Sequence, residues 1–307
     1  MHRMTFRKNQ VVFVGLCALS LLAGWRPLFD TLALSIQNDE YTQILLVLPV
    51  SAALIFLERP WSRSTGGWDL RLAPALLAIA FAVAGFASLW SASMPGDVRL
   101  SIQMIALVLS WIGIFVLCFC PAAARSVLFP LLFLFGLVPV PQAGPNLIIA
   151  WLQLGSAWSA HALFAVFGVP VFQEGTFLTI PGLKIQVAQE CSSIRSSSML
   201  LVTTIVLAQI LLRASWRKAF VVCLAIPLSI AKNGLRIFTI AMLGTRVDPG
   251  YLTGRLHHQG GILFFAIALL GVFFALVVCQ RQESTSLQVS STDKLRFHNI
   301  LRGVYRT

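Results

Sequence analysis

Cys191 is the residue of this chain best suited to nucleophilic chemistry. Its neighbours are polar, whereas the other five cysteines lie within or at the end of apolar runs, where a thiol usually serves as a small core residue. The serines that follow it are natural helix N-caps, and a helix N-terminus favours a thiolate. The pattern predicts a nucleophilic cysteine, with an inert buried thiol as the alternative.

Arg236 is the second candidate, because it lies in an apolar run and a charge within a membrane span is usually functional. Asn233 is three residues earlier and shares its helix face. Arg236 follows Lys218 by 18 residues, a rise of about 27 Å in a helix, so the two should lie near opposite membrane faces. Snorkelling to lipid headgroups is the alternative. Lys232 is expected to point elsewhere.

The third candidate is the pair His257 and His258, just before the last apolar run. An imidazole there can accept a proton from a thiol or return one to a leaving amine. A solvated interfacial histidine is the alternative. Because these groups come from distant parts of the chain, they can act together only if membrane topology brings them to the same side.

Composition makes the bilayer the solvent of this protein. Its 307 residues are 57% hydrophobic and 11% charged, whereas soluble domains carry about 25% charge. The net charge of +12 is attributed to cytoplasmic loops, because no basic patch interleaved with aromatic residues points to a nucleic-acid partner. The absence of any C-x-x-C pair argues against a metal site or a disulfide framework.

Hydrophobic runs predict an all-α polytopic membrane protein with about eight transmembrane helices. They form a single transmembrane domain over 1–280, followed by a cytoplasmic and disordered tail over 281–307. The runs cover 11–28, 42–57, 72–91, 102–120, 126–143, 192–212, 219–243 and 259–280.

Loop charges set the predicted orientation. The basic N-terminus, the cluster Arg213, Arg217 and Lys218, and the basic tail all belong in the cytoplasm. These segments can share one side of the membrane only if the number of crossings between them is even, and this requires that 146–169 does not cross. We therefore expect an interfacial helix at the outer face. All three candidate groups then lie outside.

A small β-hairpin is predicted directly before Cys191. Residues 177–180 and 183–187 have the composition of short strands, and Pro181-Gly182 supplies the turn. The hairpin should lie outside the bilayer and lead into the sixth span.

These three segments together resemble the motifs of the exosortase/archaeosortase family. The Cys motif is similar to 191–196 (CSSIRS), the Arg motif to Pro227 followed by 233–236 (NGLR), and the His motif, His-x-x-x-Gly, to 257–261. The resemblance covers 126–280, and the earlier spans match only as hydrophobic helices.

The resemblance implies a cysteine transpeptidase of the bacterial inner membrane with a periplasmic active site. Its substrates would be exported proteins with a C-terminal sorting signal, which comprises a recognition motif, a transmembrane helix and a basic end. Cys191 would form a thioester, Arg236 would stabilise the oxyanion, and His257 would transfer protons. An amine acceptor or water would resolve the thioester, with no metal or organic cofactor.

Some positions leave details open. Ser193 replaces the usual glycine of the family, and Glu190 would raise the thiol pKa unless it pairs with Arg195 or Arg236. His257 is the preferred base because it precedes Gly261 by four residues, as in the His motif. His258 is the alternative.

Three other functions remain open. One is an intramembrane cysteine protease that hydrolyses without transfer. A second is a transporter or polysaccharide-export permease, in which Arg236 and Lys232 would contact the cargo. A third is a structural subunit of an export complex. Loss of function on removal of the Cys191 thiol separates the peptidases from the other two.

Overall fold

The computed structural model describes residues 2–58, 71–141, 143–187, 194–252 and 261–304. These residues form two compact units, Met1–Leu147 and Ile148–Thr307, and the single transmembrane domain expected from the sequence stays a prediction. The first unit is helical. Its helices are α1 (His2–Ala23), α2 (Trp25–Gln37), α3 (Ile44–Glu58), α4 (Leu72–Leu89), α5 (Gly96–Ser126) and α6 (Leu128–Phe133), with short 3-10 helices at Asp39–Tyr41 and Leu134–Leu137.

Small residues let α4 and α5 pack closely. Ala73, Ala80 and Ala87 recur every seven residues along α4 and are almost completely buried. On α5, a Cβ added to Gly113 would meet Leu77 Cγ at 3.0 Å. Interfaces of this kind are typical of membrane helices, because small side chains allow the backbones to approach.

The first predicted span is bent. Residues 11–28 were expected to form one run, but α1 and α2 meet at Gly24 with an angle of 73°. A Cβ at Gly24 would lie 2.7 Å from Leu107 Cδ1 of α5, so a larger residue at this position requires the Leu107 side chain to shift. α1 is also joined to α5 by polar contacts, in which Asn9 Nδ2 donates to the Cys118 carbonyl oxygen at 3.1 Å.

The second unit combines helices with a small sheet. It contains most of α7 (Ala143–Val166), then β1 (Phe172–Glu174), β2 (Phe177–Ile180), β3 (Leu183–Gln186), α8 (Ile194–Leu211), α9 (Ser215–Arg246), a 3-10 helix (Pro249–Leu252) and α10 (Gly261–Val304).

The predicted hairpin is confirmed, and a third strand extends it. The strands are antiparallel in the order β1-β2-β3, and Ile180 pairs with Leu183 across the two-residue turn. Gly182 adopts a φ of +81°, which glycine tolerates without strain. Only one face of the sheet is buried: Leu178 and Ile180 pack in a cluster with residues of α7 and α9, including Ala160 and Ile237.

The helical membrane architecture is confirmed, but the count of eight spans is not. Among the described residues, five helices are long and apolar enough to cross a bilayer, or six if the bent pair counts as one span. Three predicted spans correspond to shorter apolar helices at Ile44–Glu58, Leu128–Leu137 and Arg195–Leu211. The segment predicted to lie at the interface contains Asn146–Val166, which is itself long enough to cross.

The last helix continues beyond the predicted span. α10 extends to Val304 and therefore covers most of the segment for which disorder was predicted. No proline interrupts 281–304, so the backbone can continue the helix without a broken hydrogen bond.

Glu283 of α10 fastens the connection between α8 and α9. Its carboxylate accepts hydrogen bonds from the main-chain N–H of Arg213 at 3.0 Å and of Ala214 at 2.9 Å. Arg217 NH1 donates to the Cys279 carbonyl oxygen at 2.9 Å. An anion at a helix N-terminus is favourable because it complements the helix dipole. The end of the bundle opposite Arg236 is therefore fixed by polar contacts among three helices.

Candidate active site

The structure places Asn233 and Arg236 on α9, on the side that packs within the second unit. The Asn233 side chain is 1% exposed, and Arg236 is half-buried. A buried amide and a guanidinium one turn apart provide fixed hydrogen-bond donors in a low-dielectric environment, where they interact more strongly than in water. Both therefore occupy positions from which an anionic intermediate could be stabilised.

Gly234 allows α9 to approach α7 at this level. A Cβ at Gly234 would lie 2.9 Å from the main-chain nitrogen of Ala160 and closer still to the Ser159 side chain. One turn away, Gly155 of α7 faces Ile230 in the same way, with a Cβ-to-Cδ1 distance of 3.1 Å. The close approach fixes the height of Asn233 and Arg236 relative to α7.

Two hydrogen bonds tie the first turn of α8 to α9. Ser229 Oγ donates to Ser197 Oγ at 2.6 Å, and Lys232 Nζ donates to Ser196 Oγ. Lys232 is 5% exposed, so the expectation that it points elsewhere was wrong. Lys232 and Arg236 are four residues apart, which places them on neighbouring turns of one helix face.

A cavity of about 180 Å³ separates β3 from α9, and Arg236 lines it together with Lys184. Gln153 Nε2 of α7 donates to the Val187 carbonyl oxygen at 3.2 Å and so holds the end of β3 against the helices. Arg236 and a row of apolar residues give this cavity a positive, partly apolar lining.

Several predicted site residues lie outside the described part of the chain. They are Cys191, Glu190, His257 and His258, so their roles stay predictions. Arg195 is described and is exposed in the first turn of α8. The structure therefore joins α9 to the start of α8 through Ser229 and Lys232, and the connection of Arg236 to Cys191 stays a prediction.

A family model for transmembrane exosortases (Exosortase_EpsH) matches residues 35–274 of the chain. The match covers more than three quarters of the sequence and includes every predicted site residue. The protein belongs to the transmembrane exosortase family. No curated protein and no solved structure matches it. Membership of the exosortase family supports a transpeptidase-type function in the membrane.

Sequence reasoning missed the hydrogen-bonded contacts between α8 and α9 in this exosortase. It assigned Ser196 to the Cys motif and a capping role to the serines after Cys191, but it predicted no contact between helices for Ser196, Ser197 or Ser229. A signal was present, because Ser229, Lys232 and Arg236 recur at steps of three and four in an otherwise apolar helix. A polar stripe of this kind in a membrane helix indicates a polar partner on a neighbouring helix.

Proposed function

We propose that this exosortase is a cysteine transpeptidase that cleaves the C-terminal sorting signals of exported proteins at the outer face of the bacterial inner membrane. One observation carries the proposal: Arg236 and the end of β3 line the same cavity. Cys191 follows Val187 by four residues, a distance of at most about 14 Å of extended chain. That reach is consistent with a thiol and a guanidinium acting on one carbonyl group.

The proposed reaction begins with attack of the Cys191 thiolate on the scissile carbonyl carbon. The negative charge that develops on the carbonyl oxygen is stabilised by the Arg236 guanidinium, and Asn233 keeps the surrounding polar network in place. His257 takes the thiol proton and delivers it to the leaving amine, so the peptide bond breaks and a thioester forms. The amine of an acceptor, or water, then attacks the thioester and regenerates the thiol.

The remaining residues have supporting roles in this proposal. Arg195 lies four residues beyond Cys191 and offsets the negative charge of Glu190, which would otherwise disfavour the thiolate. His258 replaces His257 as the base if the latter faces away. The active site lies on the periplasmic side and both termini lie in the cytoplasm, because the basic segments are retained inside.

Trapping the acyl-enzyme tests the proposal. Purified protein is incubated with a synthetic sorting-signal tail and quenched in acid, and intact mass spectrometry should show the peptide attached to Cys191. The adduct should be lost in Cys191→Ala and retained in Cys223→Ala, which removes an exposed thiol of α9. A Cys191→Ala protein that still processes the tail would exclude the cysteine mechanism, and unchanged cellular function of this variant would favour a transporter.

The mass of the released product separates transfer from hydrolysis. A processed substrate that carries the mass of an amine acceptor at its new C-terminus indicates a transpeptidase. A free carboxylate formed in the presence of membrane extract indicates a protease.

A further inference from the structure

β3 forms one edge of the three-stranded sheet, and its main-chain groups alternate in direction. Ile180 and Leu183 pair across the turn, and the Val187 N–H donates to the Thr176 carbonyl oxygen at 3.0 Å. In an antiparallel pair, hydrogen-bonded and non-hydrogen-bonded positions alternate. The main-chain groups of residues 183, 185 and 187 therefore face β2, and those of Lys184 and Gln186 face away from the sheet.

The outward edge of β3 is open within the described part of the chain. The N–H and C=O groups of Lys184 and Gln186 are hydrogen-bonded to none of the described residues. Both side chains are exposed on the outer face of the sheet. Unpaired edges of this kind are templates for another extended chain, and peptide-binding domains use them for that purpose.

A cavity lies beside this edge of β3. Its wall opposite β3 comes from α9 and the following 3-10 helix, with Arg236, Ile237, Ile240, Ala241 and Leu252 as lining residues. A chain added to β3 would direct alternate side chains toward the apolar lining of this cavity and the others outward, because side chains of a strand alternate between faces. Arg236 lines the same cavity.

We propose that β3 binds the substrate segment before the scissile bond as a fourth strand of the sheet. The proposal rests on the transpeptidase function proposed above. Main-chain donors and acceptors at alternate positions match an extended peptide and not a lipid chain. Arg236 lines the cavity, and no carboxylate is among the described residues that line it, so a neutral or acidic segment fits where it passes Arg236.

Strand addition also explains how one site could accept different exported proteins. Main-chain hydrogen bonds are independent of side-chain identity, so they supply affinity for any extended peptide. The apolar lining of the cavity selects side chains at alternate peptide positions only. The remaining part of the sorting signal, its transmembrane helix, lies in the bilayer. The strand would thus present the carbonyl that precedes the helix to Arg236.

Proline substitution tests the strand without breaking the sheet. Gln186→Pro removes one outward N–H and none of the bonds to β2, and proline is tolerated at such edge positions. Gln173→Pro is the matched control, because Gln173 is the middle residue of β1 and pairs with Leu178. Leu178 directs its main-chain groups to β3, so the N–H of Gln173 faces away from the sheet at the opposite edge.

Cleavage kinetics of the two variants are compared in full-length protein with a synthetic peptide as substrate. The peptide is taken from a host protein whose C-terminus has the parts of a sorting signal: a recognition motif, a transmembrane helix and a basic end. Gln186→Pro should raise KM about three- to tenfold with little change in kcat, as expected for one lost hydrogen bond. Gln173→Pro should change KM less than about twofold. Equal KM values for the two variants, with wild-type cleavage intact, would overturn strand addition and leave the transpeptidase function standing.

Binding without cleavage provides the second measurement. In Cys191→Ala, N-methylation of successive peptide residues should weaken binding at every second position, because only alternate N–H groups face β3. Uniform sensitivity or none would exclude the fourth strand. An alternating pattern in a protein whose wild type never cleaves the peptide would support the binding site and refute the proposed chemistry.

Discussion

Ser229 of α9 donates a hydrogen bond to Ser197 of α8 across 2.6 Å, one turn below the contact between Lys232 and Ser196. Both bonds hold the first turn of the helix that follows Cys191 in the sequence. Since Lys232 shares its helix with Arg236, these contacts set the height of the start of α8 relative to the guanidinium. We make four predictions, which concern Lys232, Gly234, Arg236 and Glu283.

Lys232→Met should lower kcat about tenfold or more while it lowers the free energy of unfolding by only about 1 kcal/mol. The reason is that the start of α8 loses one of the two hydrogen bonds to α9 described above, so Cys191 is held less firmly relative to Arg236, and small misplacements have large effects on catalysis. Steady-state kinetics and thermal unfolding in lipid nanodiscs measure the two effects.

Lys218→Met is the control for this variant. Lys218 is also a lysine of α9 that donates to α8, with a distance of 2.7 Å to Gln209 Oε1, but it lies at the other end of the helix. It should lower stability by a similar amount and leave kcat unchanged. Equal kcat values for the two variants would show that Lys232 has no role in positioning.

Gly234→Ala should lower the free energy of unfolding by about 1–3 kcal/mol, because the added methyl group overpacks the contact with Ala160 of α7. Gly271→Ala serves for comparison: its Cβ would meet only Leu228, at 3.5 Å, an ordinary van der Waals distance. Thermal unfolding of both proteins measures the difference. Similar melting temperatures would mean that α7 and α9 are not in close contact at Gly234.

Arg236→Gln should reduce kcat about 10²- to 10³-fold, the usual loss when one oxyanion donor is removed. Arg236→Lys should restore only part of this rate, since an ammonium retains the charge but not the planar fork of a guanidinium. Arg246→Gln removes an exposed arginine at the end of the same helix and should leave kcat unchanged. A kcat of Arg236→Gln within twofold of wild type would remove Arg236 from the mechanism.

Glu283→Ala should speed amide hydrogen exchange at Arg213 and Ala214 about tenfold, because both N–H groups lose their carboxylate acceptor. Hydrogen exchange with mass spectrometry resolves this segment. Gln280→Ala changes an exposed neighbour on the same helix and should leave the exchange as it is in wild type. Unaltered exchange in Glu283→Ala would contradict the capping role.

The sequence allowed the hairpin before Cys191 to be predicted, since Pro181-Gly182 separates two runs of strand-forming residues. It did not reveal β1, because Phe172–Glu174 has only three residues, too few for alternation to be recognised. Strand pairing supplies the stability that such a short segment lacks by itself.

The count of eight spans is not confirmed, because three of the predicted runs correspond to apolar helices of fewer than 18 residues. The run 11–28 is divided at Gly24, where a Cβ would lie 2.7 Å from Leu107 Cδ1. A local sequence window contains no information about a partner helix more than 80 residues away. The polar positions Ser229, Lys232 and Arg236 indicated a partner on a neighbouring helix, but they did not identify Ser196 of α8 as the partner of Lys232.

The Glu283 clamp joins groups that are made at different times during synthesis. The carboxylate follows the Arg213 and Ala214 amides by 70 and 69 residues, which corresponds to several seconds of translation at about 5–20 residues per second. Helices α8 and α9 are therefore synthesised before the acceptor for the turn between them exists. The two amides gain their acceptor only when α10 is in place. A chain that ended before Glu283 would leave the turn between α8 and α9 without this cap.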